Sequence, residues 1–180
     1  GWIAVYMYEG DAPLAERRAA ALALDRDLLR ELLGGEELRE LLDPAALTDL
    51  ELELQRLVPS RVARDRHEVA DLLRVLGPLS LDEVKARTAA DSASEVPNWL
   101  ATLGQEKRAI SVMVAGEARF AAAEDAARLR DGLGCNVIPG LPAAFTDPVD
   151  APLHDLVIRY ARTHGPFERG EVARRLGIPM

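Results

Sequence analysis

Eight polar and basic side chains carry the chemistry that this sequence could direct at another molecule. Asn98, Thr102 and Gln105 recur at spacings of four and three, which places them on one side of a helix. Amide and hydroxyl groups in such a row can hydrogen-bond base edges or ribose. Lys107 and Arg108 close that run, and Arg119 follows on the return strand of a hairpin. Cations there would stand where phosphates pass. Arg61 and Arg64 lie in the stretch PSRVARDR, which reads either as a phosphate-contacting patch or as a solvated linker. Glu95 and Glu106 flank the same polar row and oppose a strongly anionic ligand.

Other chemistries are missing from the string. No GxxxxGK[ST] phosphate loop and no Asp-Glu-x-His box occurs, so no ATP-hydrolysing motif belongs to this chain. His67, His154 and His164 have no metal-ligand spacing with one another or with Cys135, and no metal site is expected. A single cysteine excludes an intramolecular disulfide, and Cys135 reads as a small buried hydrophobe. Glu36-Glu37 and Asp82-Glu83 read as helix-start charges.

The elements that must position the polar row run from residue 68 to residue 122. Val69, Leu72, Leu73 and Leu76 form one apolar stripe at the helical period, and Gly77-Pro78 ends that helix. Ser80 and Glu83 have the spacing of a capping box for a second helix. Val96, Trp99, Leu100 and Leu103 stripe a third. Trp99 lies in that stripe, which favours a core role over base stacking. The period then changes. Ile110, Val112 and Val114 alternate, Ala115-Gly116-Glu117 supplies a turn, and Arg119-Phe120-Ala121 returns. Three helices followed by a hairpin over 109–122 is the plan of a winged helix, whose third helix is the usual groove reader.

Upstream, the pattern predicts a small helical bundle. Helices are expected over about 12–24, from 25 or 26 to 33, around Leu38–Leu42, and after Asp43-Pro44, with Leu47, Leu50, Leu54 and Leu57 as the last one's buried face. Residues 2–8 are too short to assign. Downstream, a helix over 124–133 ends at Gly134, a proline-rich connector follows, and a longer helix occupies about 153–164. An internal repeat then appears. Gly77-Pro78-Leu79, Glu83-Val84 and Arg87 are matched by Gly165-Pro166-Phe167, Glu171-Val172 and Arg175, each 88 residues on. The second copy reads as the start of another winged helix. The expected divisions are therefore a helical bundle segment over 1–58, a winged-helix-like domain over 59–123, a helix and connector over 124–152, and a truncated second winged-helix-like unit over 153–180. The fold class is mainly α with one β-hairpin.

Charge constrains the partners. The net charge is −8 over 180 residues, with −7 in residues 1–57, zero in 58–123 and −1 in 124–180. A protein that binds nucleic acid unaided usually shows a basic excess. Any contact here is expected to be local or held in place by something outside the chain. Hydrophobic content of 48% suffices for a core, and no apolar run reaches the ~18 residues of a membrane span. The absence of a signal peptide and the cysteine usage point to the cytoplasm. The chain begins without Met and ends at RRLGIPM, where a helical pattern is being set up, which reads as a piece of a larger protein.

The strings YMYEGDAPLAERRAAALALDRDLLRELLG, ELRELLD, GLPAAFTDPV and YARTHGPF resemble the large helicase-related (Lhr-type) family of ATP-dependent helicases, over nearly the whole chain. The resemblance implies a place after two ATPase lobes, in an accessory region rich in winged helices. It also implies a parent protein that is a hydrolase, uses ATP and Mg²⁺ in those lobes, moves on single-stranded DNA, unwinds duplexes including RNA:DNA hybrids, and serves DNA repair. Related winged-helix DNA glycosylases carry a short Gln-x-Asp type motif, and neither Gln55 nor Gln105 begins one. Two roles stay open for the segment itself. It engages nucleic acid through the third helix and wing, or it is a structural module that packs on other helicase domains or drives oligomerisation. A transcription regulator would need a basic recognition helix, which is missing.

Overall fold

The computed structural model describes residues 43–179. The helices expected before Asp43, and the segment 2–8, lie outside the described residues. The chain divides into two compact units, Gly1–Ala46 and Leu47–Met180, so the expected division at residue 58 falls inside the second. In order, the described elements are α1 (Pro44–Leu54), α2 (Arg66–Leu76), α3 (Leu81–Ala86), α4 (Val96–Gln105), β1 (Ala109–Val114), β2 (Glu117–Ala122), α5 (Ala126–Leu133), α6 (Ala143–Thr146), α7 (Pro152–Thr163) and α8 (Arg169–Leu176).

The winged helix is built by local signals that agree with one another. Asp65 caps α2 by accepting the His67 and Glu68 N–H groups at 2.7 and 2.9 Å. Gly77, at φ 84°, ends the helix and donates to the Leu73 carbonyl. Ser80 and Glu83 form the expected capping box on α3. A 3₁₀ turn over Ala93–Glu95 leads into α4, with Pro97 in its first turn. Val69, Leu73, Val84, Val96 and Leu103 are fully buried where α2, α3 and α4 meet. Each such side chain contributes about 1.5–3 kcal/mol relative to exposure. Trp99 packs half-buried against this core, as its place in the stripe requires.

The hairpin closes on a two-residue turn, Ala115 at φ 53° and Gly116 at φ 78°, the geometry that matches the twist of antiparallel strands. Its register pairs Ile110 with Ala121, Val112 with Arg119 and Val114 with Glu117. Leu79 adds a third, one-residue strand, exchanging hydrogen bonds of 2.9 and 2.7 Å with Phe120. Ala63 likewise bridges Thr88, which ties the 59–66 connector onto the domain.

Two hydrophobic cores share the hairpin. Ala109 and Ala122 belong to the helical core just described. Ile110, Val112, Val114 and Ala121 belong to a second core with Leu129 of α5, Leu156 of α7 and Val172 and Leu176 of α8. The sequence repeat is thus a structural one: α7, the Gly165-Pro166 turn and α8 follow α2, the Gly77-Pro78 turn and α3. Glu168 and Glu171 form a capping box where Ser80 and Glu83 form the first.

The expected buried face of α1 is corrected. No residue of α1 is buried, and Leu50 and Leu57 are exposed. Leu47 and Leu54 on that stripe are half-buried, so the face is only partly covered.

Candidate nucleic-acid interface

Helix α4 holds its polar row as the spacing implies. Asn98 and Gln105 are exposed and Thr102 is half-buried, while Val96, Leu100 and Leu103 point into the core. The row is partly self-bonded. Asn98 donates to the Glu95 carboxylate at 3.3 Å, and the Thr102 hydroxyl donates back to the Asn98 carbonyl at 2.9 Å. That leaves the exposed Gln105 amide as the group with no partner of its own among the described residues.

The cations at the end of α4 are also engaged. Lys107, at φ 56°, donates to the Gly140 carbonyl. The Arg108 guanidinium lies 2.9 Å from His67 Nδ1 and 3.7 Å from Glu106. Arg66 pairs with the same Glu106 at 3.2 Å. These contacts are exposed, and surface pairs of this kind are worth about 0–1 kcal/mol, so an arriving phosphate can displace them.

Arg119 departs from the expectation. It is 6% exposed, not on the outer surface of the wing. Its guanidinium donates to Glu117 at 2.9 and 2.8 Å and to the Arg175 carbonyl on α8 at 3.2 Å. Register explains the placement. Across a two-residue turn Arg119 faces Val112, so it shares the side of the hairpin that α8 covers. The turn, though exposed, is touched on one side: a Cβ built on Gly177, just after α8, would lie 2.9 Å from the Ala115 Cα. Of the expected residues, the structure brings together Asn98, Thr102, Gln105, Lys107 and Arg108 on and after α4. It separates Arg119, and it places Arg61 and Arg64 elsewhere.

Arg61 and Arg64 line a cleft of about 360 Å³ with Arg56 and Ser60, residues that sequence reasoning did not select. Arg56 sits just past α1 at φ 58°, and only the turn around 56–63 brings it beside the other two. Arg61 reaches back to Glu53 at 2.5 Å.

A buried polar seam joins the two repeat copies. Arg87 donates to the Gln55 carbonyl at 2.8 Å, the Gln55 side-chain oxygen at 2.6 Å and the Glu83 carbonyl at 3.0 Å. Gln55 in turn donates to the Thr163 carbonyl at 2.6 Å. Arg175 donates to both Glu83 carboxylate oxygens, at 2.5 and 3.0 Å, and to the Pro78 carbonyl at 2.9 Å. Burial pushes the Glu83 carboxyl up, but hydrogen bonds from Arg175 and the Ser80 N–H outweigh it and hold the group below the usual carboxylate range. Burial lowers the Arg87 guanidinium from its ordinary value. In the second core the Asp125 carboxylate and Arg159 form a bidentate pair, one arm at 2.7 Å.

A family model described as the large helicase-related protein, winged-helix domain, matches residues 40–148. The chain belongs to this family. A Lhr helicase/probable uracil glycosylase from Mycolicibacterium smegmatis is 53% identical over 178 residues, which is 99% of this chain and 12% of that protein. A Lhr helicase/uracil glycosylase from Escherichia coli K12 is 43% identical over the same length, again 99% of this chain and 12% of the relative. The chain therefore spans about an eighth of the curated relatives it matches. As a winged-helix domain of the Lhr family it is an accessory segment of a helicase. One face of the hairpin packs into the second core, and α4 keeps an open polar face. No described helix is long and apolar enough to cross a membrane.

Proposed function

We propose that this segment engages nucleic acid on behalf of an ATP-dependent superfamily 2 helicase that acts on single-stranded DNA or RNA:DNA hybrids in DNA repair. ATP and Mg²⁺ are used by ATPase lobes elsewhere in the parent protein, which is the hydrolase. The segment contributes contacts and no bond-breaking chemistry. Gln55 is spent on Arg87 and Thr163. The observation that carries the reading is the open face of α4. It presents the exposed Asn98 and Gln105 with Lys107 and Arg108 at its end, on a rigid core.

Two displaceable cations and a neutral polar row suit a weak, sequence-tolerant contact. Each phosphate neutralised adds about 0.9 to the salt slope on duplex DNA. Two such contacts give binding of tens of micromolar or weaker near physiological salt, in the range of non-specific binders. In the parent protein the strand is held nearby by other domains, so weak contacts count through effective concentration. The test is a salt titration by fluorescence anisotropy of single-stranded DNA and of an RNA:DNA hybrid, in the parent helicase and in a Gln105→Ala/Lys107→Ala/Arg108→Ala variant. The variant should bind more weakly with a shallower salt slope. Identical affinity and slope in both would overturn the reading.

The second reading is a structural winged-helix module that packs on other helicase domains or drives oligomerisation, and the contacts within this chain support it with a wing suited to packing. The hairpin's inner face, its tip and Arg119 are all used against α8. The two readings are compatible, because the wing does the packing and α4 the contact.

A further inference from the structure

We propose that the cleft between the 56–64 segment and α2 is a phosphate-binding site that takes one nucleotide unit of a nucleic-acid strand. The proposal rests on the nucleic-acid reading above and adds a second contact point to it. None of the residues lining this cleft comes from α4 or the hairpin.

Three arginines and a hydroxyl converge there. The side chains of Arg56 and Arg64 have no hydrogen-bond or ion-pair partner among the described residues. Arg61 is tied only to Glu53, with the two side chains 47% and 51% exposed, an ion pair that an arriving oxyanion can exchange. Ser60 supplies a neutral donor on the same wall. Two carboxylates also line the cleft; Asp71 is set against Arg74, while Glu68 is held in place by a neutral donor and keeps its charge. Glu68 accepts the Arg64 backbone N–H at 2.7 Å, and Asp71 accepts from Arg74 at 3.1 Å. With Arg61 set against Glu53 and Asp71 against Arg74, Arg56 and Arg64 outnumber Glu68, so the cleft keeps a small positive excess although the domain as a whole is neutral. Guanidinium forks match phosphate oxygens in pairs, which a single lysine does not.

Size and lining extend the argument from phosphate to nucleotide. About 360 Å³ lies at the small end of ligand clefts, which run about 300–1,000 Å³, and is far more than a bare oxyanion needs. Val75, 39% exposed, forms an apolar wall against which a sugar can rest. The same chemistry could also be met by free phosphate or a mononucleotide, so the test separates the sources.

Wild type and an Arg56→Gln/Arg64→Gln double variant of this chain are titrated with a fluorescent single-stranded oligonucleotide over a range of salt. In parallel, ¹⁵N amide spectra are recorded with inorganic phosphate and with a mononucleotide. Gln keeps the side-chain stem, both positions are at the surface, and the amide spectra report whether the fold is kept. With about 0.7 lost from the salt slope per phosphate contact on single strands, the variant's slope should fall by about 1.4 and its affinity by about 25-fold at 0.1 M salt. An Arg56→Lys/Arg64→Lys variant should keep most of the slope. An oligonucleotide bound equally by wild type and the Gln variant would overturn the proposal and leave the α4 reading standing. Failure of wild type to bind any oligonucleotide would sink that reading instead. In that case, phosphate-induced shifts confined to residues 56–64 would keep the anion site with a free phosphate or nucleotide as its ligand, and their absence would overturn the site too.

Discussion

Replacing Asp125 by Asn should cost this fold about 3 kcal/mol, and most of that cost should vanish when Arg159 is replaced as well. Asp125 precedes α5 and is only 5% exposed at its side chain, while Arg159 on α7 is 21% exposed. The two make parallel hydrogen bonds, and Arg128 stands at 3.7 Å as a further cation. An exposed pair is worth about 0–1 kcal/mol. Removing one partner of a buried pair costs about 3–5, mainly because the other charge is left uncompensated. The near-complete burial of the carboxylate places this pair at the low end of the second range. At about 2–4 °C per kcal/mol for a chain of this size, Asp125→Asn should lower Tm by about 6–12 °C. Arg159→Met should do much the same. The double variant should lose clearly less than the sum, with a coupling above about 1.5 kcal/mol. Thermal denaturation of the four proteins, followed by circular dichroism, gives all the terms. Additivity within about 0.5 kcal/mol, or an Asp125→Asn cost below 1 kcal/mol, would refute the burial argument.

Three further outcomes follow from the same packing. The Glu83 carboxyl is held below its unfolded value, so its contribution is present above the usual carboxylate pKa near 4.5 and is lost as pH falls through the lower folded value. Acid titration of stability should show this loss in wild type and a smaller one in Arg175→Met. Gly177→Ala puts a methyl group 2.9 Å from the Ala115 Cα at φ 69°, and should destabilise by about 1–3 kcal/mol, read as a lower midpoint in urea. Leu103→Ala, at a fully buried position, should cost about 2–5 kcal/mol by the same measurement, whereas Gln105→Ala two residues on should cost less than about 0.5.

The helices and turns of the winged helix were legible because each is fixed by residues close in sequence. Ser80 and Glu83 sit three apart, Gly77-Pro78 stops a helix, and the two-residue turn at Ala115-Gly116 has one dominant geometry. The face of the hairpin that would be covered was less legible. The register, countable from the turn, already puts Arg119 beside Val112. That the Val112 face is covered depends on α8, which arrives more than fifty residues later. The repeat was visible in Glu83, Arg87, Glu171 and Arg175, but their partners were not. Gln55 joins the seam from outside the repeated pattern, and nothing in its neighbourhood marks it. Arg56 was invisible for a similar reason: it reads as the end of a helix until the chain turns and sets it beside Arg61 and Arg64. On α1 the leucine stripe is aligned, but what covers a stripe is set by distant elements, and this one is only half covered.

The hairpin shared by two cores bears on how the domain comes apart. Ile110, Val112 and Val114 are covered from one side, Ala109 and Ala122 from the other, and Phe120 is stitched to Leu79 across the sheet. Loss of α7 and α8 would uncover one side of the wall that the remaining helices lean on, and loss of those helices would do the reverse. Neither half has an interior that survives its neighbour's departure intact. Residues 47–179 should therefore melt in one transition instead of two. The amide hydrogens of β1 and β2 should exchange only when the whole unit opens, more slowly than those of α1, which has no buried residue.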